Sequence, residues 1–332
     1  MTHPSPPTQS MQAWVCKHYG APDVLALEQR PIPVPGAGDI LVKIRATTVS
    51  SADVRVRAWK LPRGFGLIGR LVLGITGPRQ PILGTDFAGT VESAGKHVTA
   101  FKPGDAVMGF PGAAARCHAQ YRVVAVDKLA VSLKPANLSF EEAASLPFGA
   151  MTALHFLRKA QIKAGQTILV IGASGAVGSA FVQLAKHRGA VVTGVTSTTN
   201  RDLVLSLGAN QVIDYTLHDF TKSPATYDII ADTVGASSFA HCHAQLNQHG
   251  RYLSLAGDLM DLLARPRGTK KSIGGPASER AEDLHELVKL AASGVLKPVI
   301  DKRYRFEQMR EAHAYVETGR KRGSVVVCVT PE

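Results

Sequence analysis

The sequence has 332 residues and is short of cysteine, of acidic side chains and of histidine in metal-binding spacings. Cys16, Cys117, Cys242 and Cys328 are scattered and make no C-x-x-C pair. Neither a structural zinc knot nor a disulfide framework is encoded, and reduced thiols in the cytosol are the simple reading. No H-x-x-H, H-E-x-x-H or G-x-S-x-G spacing occurs, which removes the common zinc-hydrolase and serine-hydrolase signatures. His97, His118 and His155 read as surface positions on loops or helices. His241 and His243 are two residues apart and so fall on different helix faces. No metal is expected.

Acidic residues number 26 against 38 Lys and Arg, giving a net charge of +12. Basicity of that size raises nucleic acid as a partner. The charge is diffuse, and no basic run is interleaved with aromatics, so none is expected. The uncharged span Thr167–Ala185 holds three glycines and two serines and opens like a strand. It is therefore read as no membrane helix, and no membrane insertion is expected. Residues 1–10 are Pro-rich and polar without an apolar signal core. They read as a disordered lead, and the chain as cytoplasmic.

What the sequence does contain is organised around Thr167–Asp214. Ile168-Leu169-Val170-Ile171 is a buried-strand run. It is followed by the turn Gly172-Ala173-Ser174-Gly175-Ala176-Val177-Gly178, by a helical pattern over Ala180–Lys186 and by a second strand over Ala190–Val195. A strand, a glycine-rich turn and a helix in that order bind a dinucleotide pyrophosphate, because the backbone can approach the phosphates and the helix N-terminus offers unpaired N–H groups. The spacing is G-x-x-G-x-x-G, and Gly175 and Gly178 are expected against the pyrophosphate. NAD-binding folds carry an acidic residue near the end of the second strand. Here no carboxylate lies between Lys186 and Arg201, and Thr196, Ser197, Asn200 and Arg201 stand in its place. Hydroxyls, an amide and a guanidinium suit a 2′-phosphate, which points to NADPH over NADH. An Arg201 that merely caps a helix start is the alternative.

Before this core the chain reads as short strands between Pro and Gly turns, the pattern of a small barrel. Ala52–Pro81, with Arg55, Arg57, Trp59, Arg63 and Arg70, reads as a long irregular functional loop. Ser139 and Glu142 make a capping box. Alternating strands and helices after it imply a parallel sheet covered on both faces.

Several blocks together resemble the medium-chain dehydrogenase/reductase superfamily, in its zinc-free quinone oxidoreductase branch. They are Tyr19-Gly-Ala-Pro-Asp-Val-Leu25, Val49-Ser-Ser-Ala-Asp53, Ile82-Leu-Gly-Thr-Asp-Phe-Ala-Gly-Thr-Val91 and Lys102-Pro-Gly-Asp-Ala-Val-Met-Gly109. Leu146-Pro-Phe-Gly-Ala-Met-Thr-Ala153, the Gly172–Gly178 turn and Gly319-Arg-Lys-Arg-Gly-Ser-Val-Val326 complete the set. The resemblance covers nearly the whole chain after Met11. It implies an α/β protein in which a GroES-like β-barrel domain at 11–126 is followed by a Rossmann doubly wound parallel sheet domain at 127–268. Residues 269–332 then finish that sheet and return to the barrel.

In zinc-dependent relatives a Cys stands at the position of Ser50 and a His-Glu pair at Thr85-Asp86. This chain departs from both, so the resemblance implies no zinc. Many quinone reductases carry Asn at Ser50 and Lys at Asn200; the first departure removes the usual amide contact to substrate or nicotinamide, and the second shifts the 2′-phosphate task toward Arg201, Ser197 and Tyr215. By family position Ser50, Ser51 and Arg55 are the candidate donors to the substrate oxygen, and Asp53 matches an acidic position whose readings are a hydrogen-bonded anchor of the barrel loop, the one favoured, and a catalytic group. Thr152, Val234 and Arg322, with the rest of Gly319–Arg322, join the cofactor site. The resemblance further implies a quinone or enone substrate and a homodimer. Two other readings stay open: a reductase of simple carbonyls or alcohols, and a non-catalytic NADPH-binding protein.

Overall fold

The computed structural model describes residues 9–330. Residues 1–8 of the expected lead lie outside these, and Ser10 already belongs to the first strand. Strands β1 (Ser10–Cys16) and β2 (Leu25–Pro31) form an antiparallel hairpin. Strand β3 (Asp39–Val49) is the spine of the barrel half. Two helices follow it, α1 (Ser51–Ala58) and α2 (Gly66–Leu73). The stretch expected as an irregular loop is thus partly helical. The cause is local: Ser50 accepts from the Asp53 N–H while the Asp53 carboxylate accepts from the Ser50 N–H, a capping box that starts α1. Trp59, with φ 54°, ends it.

Strands β4 (Phe87–Ala94), β5 (Ala106–Phe110), β6 (Tyr121–Ala125) and β7 (Ala130–Leu133) close the barrel sheet. β7 pairs with β5, so this sheet reaches past the expected boundary at 126. Helices α3 (Phe140–Ser145), started by the Ser139–Glu142 capping box, and α4 (Pro147–Lys159) lead out of it.

The second half alternates. It runs β8 (Thr167–Ile171), α5 (Ala176–His187), β9 (Val191–Thr196), α6 (Arg201–Ser206), β10 (Gln211–Asp214), β11 (Tyr227–Asp232), α7 (Phe239–Cys242), β12 (Leu246–Ser254), α8 (Leu259–Leu262) and β13 (Lys271–Gly274). All six strands are parallel, in the order β10-β9-β8-β11-β12-β13. This is the doubly wound order that binds a ligand beyond the carboxyl ends of its central strands. Burial explains the apolar run in β8. Ile168 and Val170 enter one core with Phe156, Phe181 and Leu284, while Leu169 and Ile171 enter another with Tyr227, Phe239 and Tyr252. A strand covered on both faces cannot alternate with polar residues.

Helix α9 (Ala281–Ala292) covers the sheet, and the chain then returns through β14 (Ile300–Arg305), α10 (Met309–Glu317) and β15 (Ser324–Cys328). β15 pairs antiparallel with β3 and parallel with β14. The tie is reinforced by Arg57, which is fully buried and donates to Gly20 O and, at 2.5 Å, to Glu317 of α10. Among the described residues no helix is long and apolar enough to cross a membrane.

Candidate active site

The carboxyl ends of β8, β9, β10 and β11 open into one cleft of about 1130 Å³. Of the expected cofactor residues, Gly172, Ser174, Gly175, Thr196, Ser197, Asn200, Tyr215, Val234 and Arg322 line it together. The turn is shaped by backbone. Gly172 takes φ +80°, which a glycine adopts without strain. The N–H groups of Gly172 and Ala173 donate to Val195 O at 3.1 and 3.0 Å. Gly175 caps α5 in an extended conformation. The first helical N–H groups behind it, at Ala176, Val177 and Gly178, have no acceptor within their own helix and form a positive end for an anion.

The three glycines do different work. A Cβ on Gly175 would meet only Gly172 O, at an ordinary 3.5 Å. A Cβ on Gly178 would fall 2.1 Å from the same oxygen. Gly178 is therefore required by the packing of α5 on the turn, whereas Gly175 faces open space.

The expected polar cluster at the end of β9 is a connected network. Thr196 Oγ1 donates to Ser174 Oγ at 2.9 Å. Asn200 Nδ2 donates to Ser174 Oγ at 3.3 Å and to Ser197 Oγ at 3.2 Å. Asp214, at the end of the neighbouring β10, is occupied by the Thr198 and Thr216 hydroxyls, which hold its carboxyl below the usual range. Arg201 is exposed at the head of α6 and does not line the cleft. The basic wall comes from elsewhere. Gly319, Arg320, Lys321 and Arg322 border the cleft, held there because Gly323 N donates to Ser174 O at 2.7 Å. Arg322 Nε is paired with Asp301 at 3.3 Å. The Lys321 ammonium donates to Gly323 O at 2.7 Å, and burial brings it down to about 8. The Arg320 guanidinium has no hydrogen bond or ion pair among the described residues. Lys302 and Tyr315 also border the cleft, stacked with Nζ 3.8 Å from the ring centroid; their sequence carries no motif that announces them.

The barrel-side residues form a second group that does not line this cleft. Ser50 Oγ donates to Asp53 Oδ2 at 2.6 Å, and Asp53 Oδ1 accepts from Gly84 N at 2.9 Å. Asp53 is buried and fully engaged, so its geometry is that of a loop anchor. Arg55 is half-buried without a hydrogen bond or ion pair among the described residues, and burial lowers its pKa. Thr152 gives its hydroxyl to Phe148 O at 2.7 Å. His118 is not on the surface: it is fully buried, with Nε2 2.9 Å from Thr48 O and its ring edge-on to buried His313. Backbone bonds from Cys117 N to Gly84 O and from His118 N to Leu83 O turn it inward, and desolvation lowers its pKa.

The donor set does not fit a zinc ion. Ser50 has no thiolate to offer. Asp86 Oδ2 accepts from Thr48 Oγ1 at 2.6 Å and Oδ1 from Phe148 N, at the head of α4, at 2.9 Å. Among the described residues no three His, Cys, Asp or Glu side chains group as metal ligands.

Asp86 makes a pH test. Burial, with the nearby Asp53 charge, pushes its carboxyl from 3.8 up to about 8. The folded chain thus keeps a proton that the unfolded chain releases. The resulting stability is full below the unfolded value and is lost as pH rises through about 8. Denaturant unfolding between about pH 4 and about pH 8 should show stability falling by up to about 1.4 kcal/mol per pH unit from this proton. Asp86→Asn should flatten that slope, and an unchanged slope in the variant contradicts the assignment.

Comparison with known proteins agrees with this fold. Residues 36–151 match the family described as alcohol dehydrogenase GroES-like domain, and residues 207–327 match zinc-binding dehydrogenase. A 2-methylene-furan-3-one reductase of Solanum lycopersicum is 34% identical over 331 residues, 97% of this chain and 80% of the relative. A chloroplastic NADPH-dependent alkenal/one oxidoreductase of Arabidopsis thaliana is 31% identical, over 97% of this chain and 81% of its own. The quinone oxidoreductase structure from Coxiella burnetii superposes with a TM-score of 0.85 at 29% identity, covering 97% of this chain and all of that one. With its barrel and parallel-sheet halves and relatives that span nearly its full length, the chain belongs to the medium-chain dehydrogenase/reductase superfamily of oxidoreductases.

Proposed function

We propose that the chain is a cytosolic, NADPH-dependent reductase that passes hydride to a quinone or an α,β-unsaturated carbonyl without a metal. The observation that carries this reading is the cleft itself. It is walled by the carboxylate-free Ser174–Thr196–Ser197–Asn200 network on one side and by Arg320–Arg322 on the other. Such a set of hydroxyl, amide and cationic donors suits a phosphorylated ribose. The head of α5 suits the pyrophosphate. When bound, the nicotinamide supplies the hydride, while the protein supplies orientation and electrostatics.

The substrate class is supported by the names of the relatives and by the donors left on the barrel side. The Ser50 hydroxyl already donates its hydrogen bond to Asp53. Arg55, which has no hydrogen bond or ion pair among the described residues, is assigned by family position as the donor to the substrate oxygen. A conjugated carbonyl or quinone spreads the charge it gains, so one cationic donor is enough. A plain ketone concentrates that charge and asks for a stronger electrophile. Asp53 holds the Ser50–Gly84 junction and acts as a positioning residue.

Initial rates of NADPH oxidation against quinones, enones and simple aldehydes test the reading. Turnover of the first two classes, unaffected by chelator, is expected. Activity confined to aldehydes, or stoichiometric zinc whose removal abolishes turnover, overturns it. No turnover on any class, with NADPH bound, leaves the non-catalytic reading in its place.

A further inference from the structure

We propose that Asp301 is a positioning residue that tunes cofactor choice, by competing with the 2′-phosphate for the Arg322 guanidinium. The inference rests on the NADPH reading above and deepens it. Two carboxylates line the cleft, Asp219 and Asp301. Asp219 is turned to its own loop, where it accepts from Thr221 N and Oγ1 and pairs with the Lys222 ammonium. Asp301, on the edge strand β14, stands instead within the basic wall. A carboxylate there works against an anionic ligand, so what it holds decides its role.

Asp301 Oδ2 accepts from the Tyr315 hydroxyl at 2.7 Å and from Arg322 N at 3.1 Å. Oδ1 accepts from Arg322 Nε at 3.3 Å. The Asp301 side chain is 6% exposed and that of Arg322 55%. The carboxylate is thus fixed by Tyr315 and by main chain, whereas its hold on the guanidinium is single, long and open to water. Well-made charge-assisted N–H···O bonds are about 2.7–2.9 Å, and exposed ion pairs are worth little. The two terminal nitrogens of Arg322 make no hydrogen bond or ion pair among the described residues.

The main chain brings Arg322 to the place of contest. The next residue, Gly323, donates its N–H to Ser174 O at 2.7 Å, and the Ser174 hydroxyl accepts from Thr196 and Asn200. Arg322 therefore starts one residue from the polar network assigned to the ribose. A phosphate monoester offers more charge than a carboxylate and a pair of oxygens that matches the guanidinium fork. In the free chain Asp301 holds Arg322 through Nε. When a 2′-phosphate arrives, the guanidinium turns to it, and Asp301 keeps Tyr315 and the Arg322 N–H. Breaking the Nε contact subtracts from the affinity for the phosphate, so Asp301 restrains NADPH binding and leaves NADH untouched.

Calorimetric titration of the full chain with NADPH and with NADH gives both Kd values without turnover. In Asp301→Asn the amide oxygen can still accept from Tyr315 and Arg322 N, while its NH2 faces Nε and releases the guanidinium. NADPH should bind about fivefold more tightly, the upper end for one exposed ion pair, with NADH nearly unchanged. In an Arg322→Gln background the same substitution should change NADPH binding by less than about twofold. Arg322→Gln alone, on an exposed side chain, should weaken NADPH and spare NADH; an unchanged NADPH Kd in that variant overturns the proposal whether or not Asp301→Asn folds. An equal gain in both backgrounds overturns it too, since Asp301 would then act by its charge alone. So does weaker NADPH binding by Asp301→Asn, which would make the carboxylate a support for Arg322. A parent that binds NADH as tightly as NADPH overturns the cofactor reading and this inference together. A parent that prefers NADPH, with a ratio unmoved in Asp301→Asn, overturns this inference alone.

Discussion

Gly178→Leu is expected to unfold the nucleotide-binding half, and not only to remove cofactor binding. Its added Cβ would lie 2.1 Å from Gly172 O and 2.8 Å from Ala173 Cα. Both obstacles are backbone of the turn that joins β8 to α5, so neither can step aside as a side chain would. Opening enough room separates α5 from the sheet it covers. Overpacking of a well-packed core costs about 1–3 kcal/mol where side chains can yield, and here the backbone must. The contrast is Gly175→Ala. Its Cβ has room in the free protein, but it stands where the turn faces the cleft. That variant should melt within a few degrees of wild type and bind NADPH about tenfold to a hundredfold more weakly, the loss expected for a displaced charged hydrogen bond. Circular dichroism melts and NADPH fluorescence titrations separate the two effects. A folded Gly178→Leu with wild-type NADPH affinity would falsify the packing role.

The second large effect is on cofactor choice. Arg320→Ala should lower kcat/KM for NADPH by about tenfold to a hundredfold, since a charge-assisted hydrogen bond is worth about 1.5–3 kcal/mol. NADH has no 2′-phosphate and should hardly respond. Arg320 is chosen because it borders the cleft with its guanidinium unpaired among the described residues, whereas Arg322 is tied to Asp301 and Lys321 to Gly323. Arg201→Ala should leave the NADPH/NADH ratio nearly unmoved, because that side chain stands outside the cleft. Ser197→Asp should go furthest, placing a carboxylate beside the ribose and turning preference toward NADH. A wild type that prefers NADH, or an Arg320→Ala ratio equal to wild type, sinks the assignment.

The parts legible in the sequence were those whose signal is local. The glycine turn, its flanking strands and the Ser139 cap depend on residues within a few positions of one another. The same local rule applied to Ser50 and Asp53 would have found α1, which was hidden among the arginines and glycines of a stretch read as irregular. β14 reads Ile-Asp-Lys-Arg-Tyr-Arg and looks like surface, because it sits at the edge of its sheet. The basic wall of the cleft was legible only through resemblance, since the contact that places it joins Gly323 to Ser174. Asp86 showed itself as a missing zinc ligand; its bond to Phe148 N spans 62 residues and leaves no trace in either segment. Burial of His118 is hidden from the sequence for the same reason.

The pairing of Val49 with Val325 also bears on how the chain is made. β3 finds β4 on one side as far as Thr47 and β6 on the other as far as Lys43, but on that second side residues 46–49 wait for β15. During synthesis that stretch presents an open strand edge, a template for wrong pairing until the partner emerges. Closing so distant a contact gives the barrel half high contact order and makes its completion slow. The parallel-sheet half, built from sequential βα units, can be compact well before. Refolding should accordingly be biphasic, with the late phase belonging to the half that begins the chain.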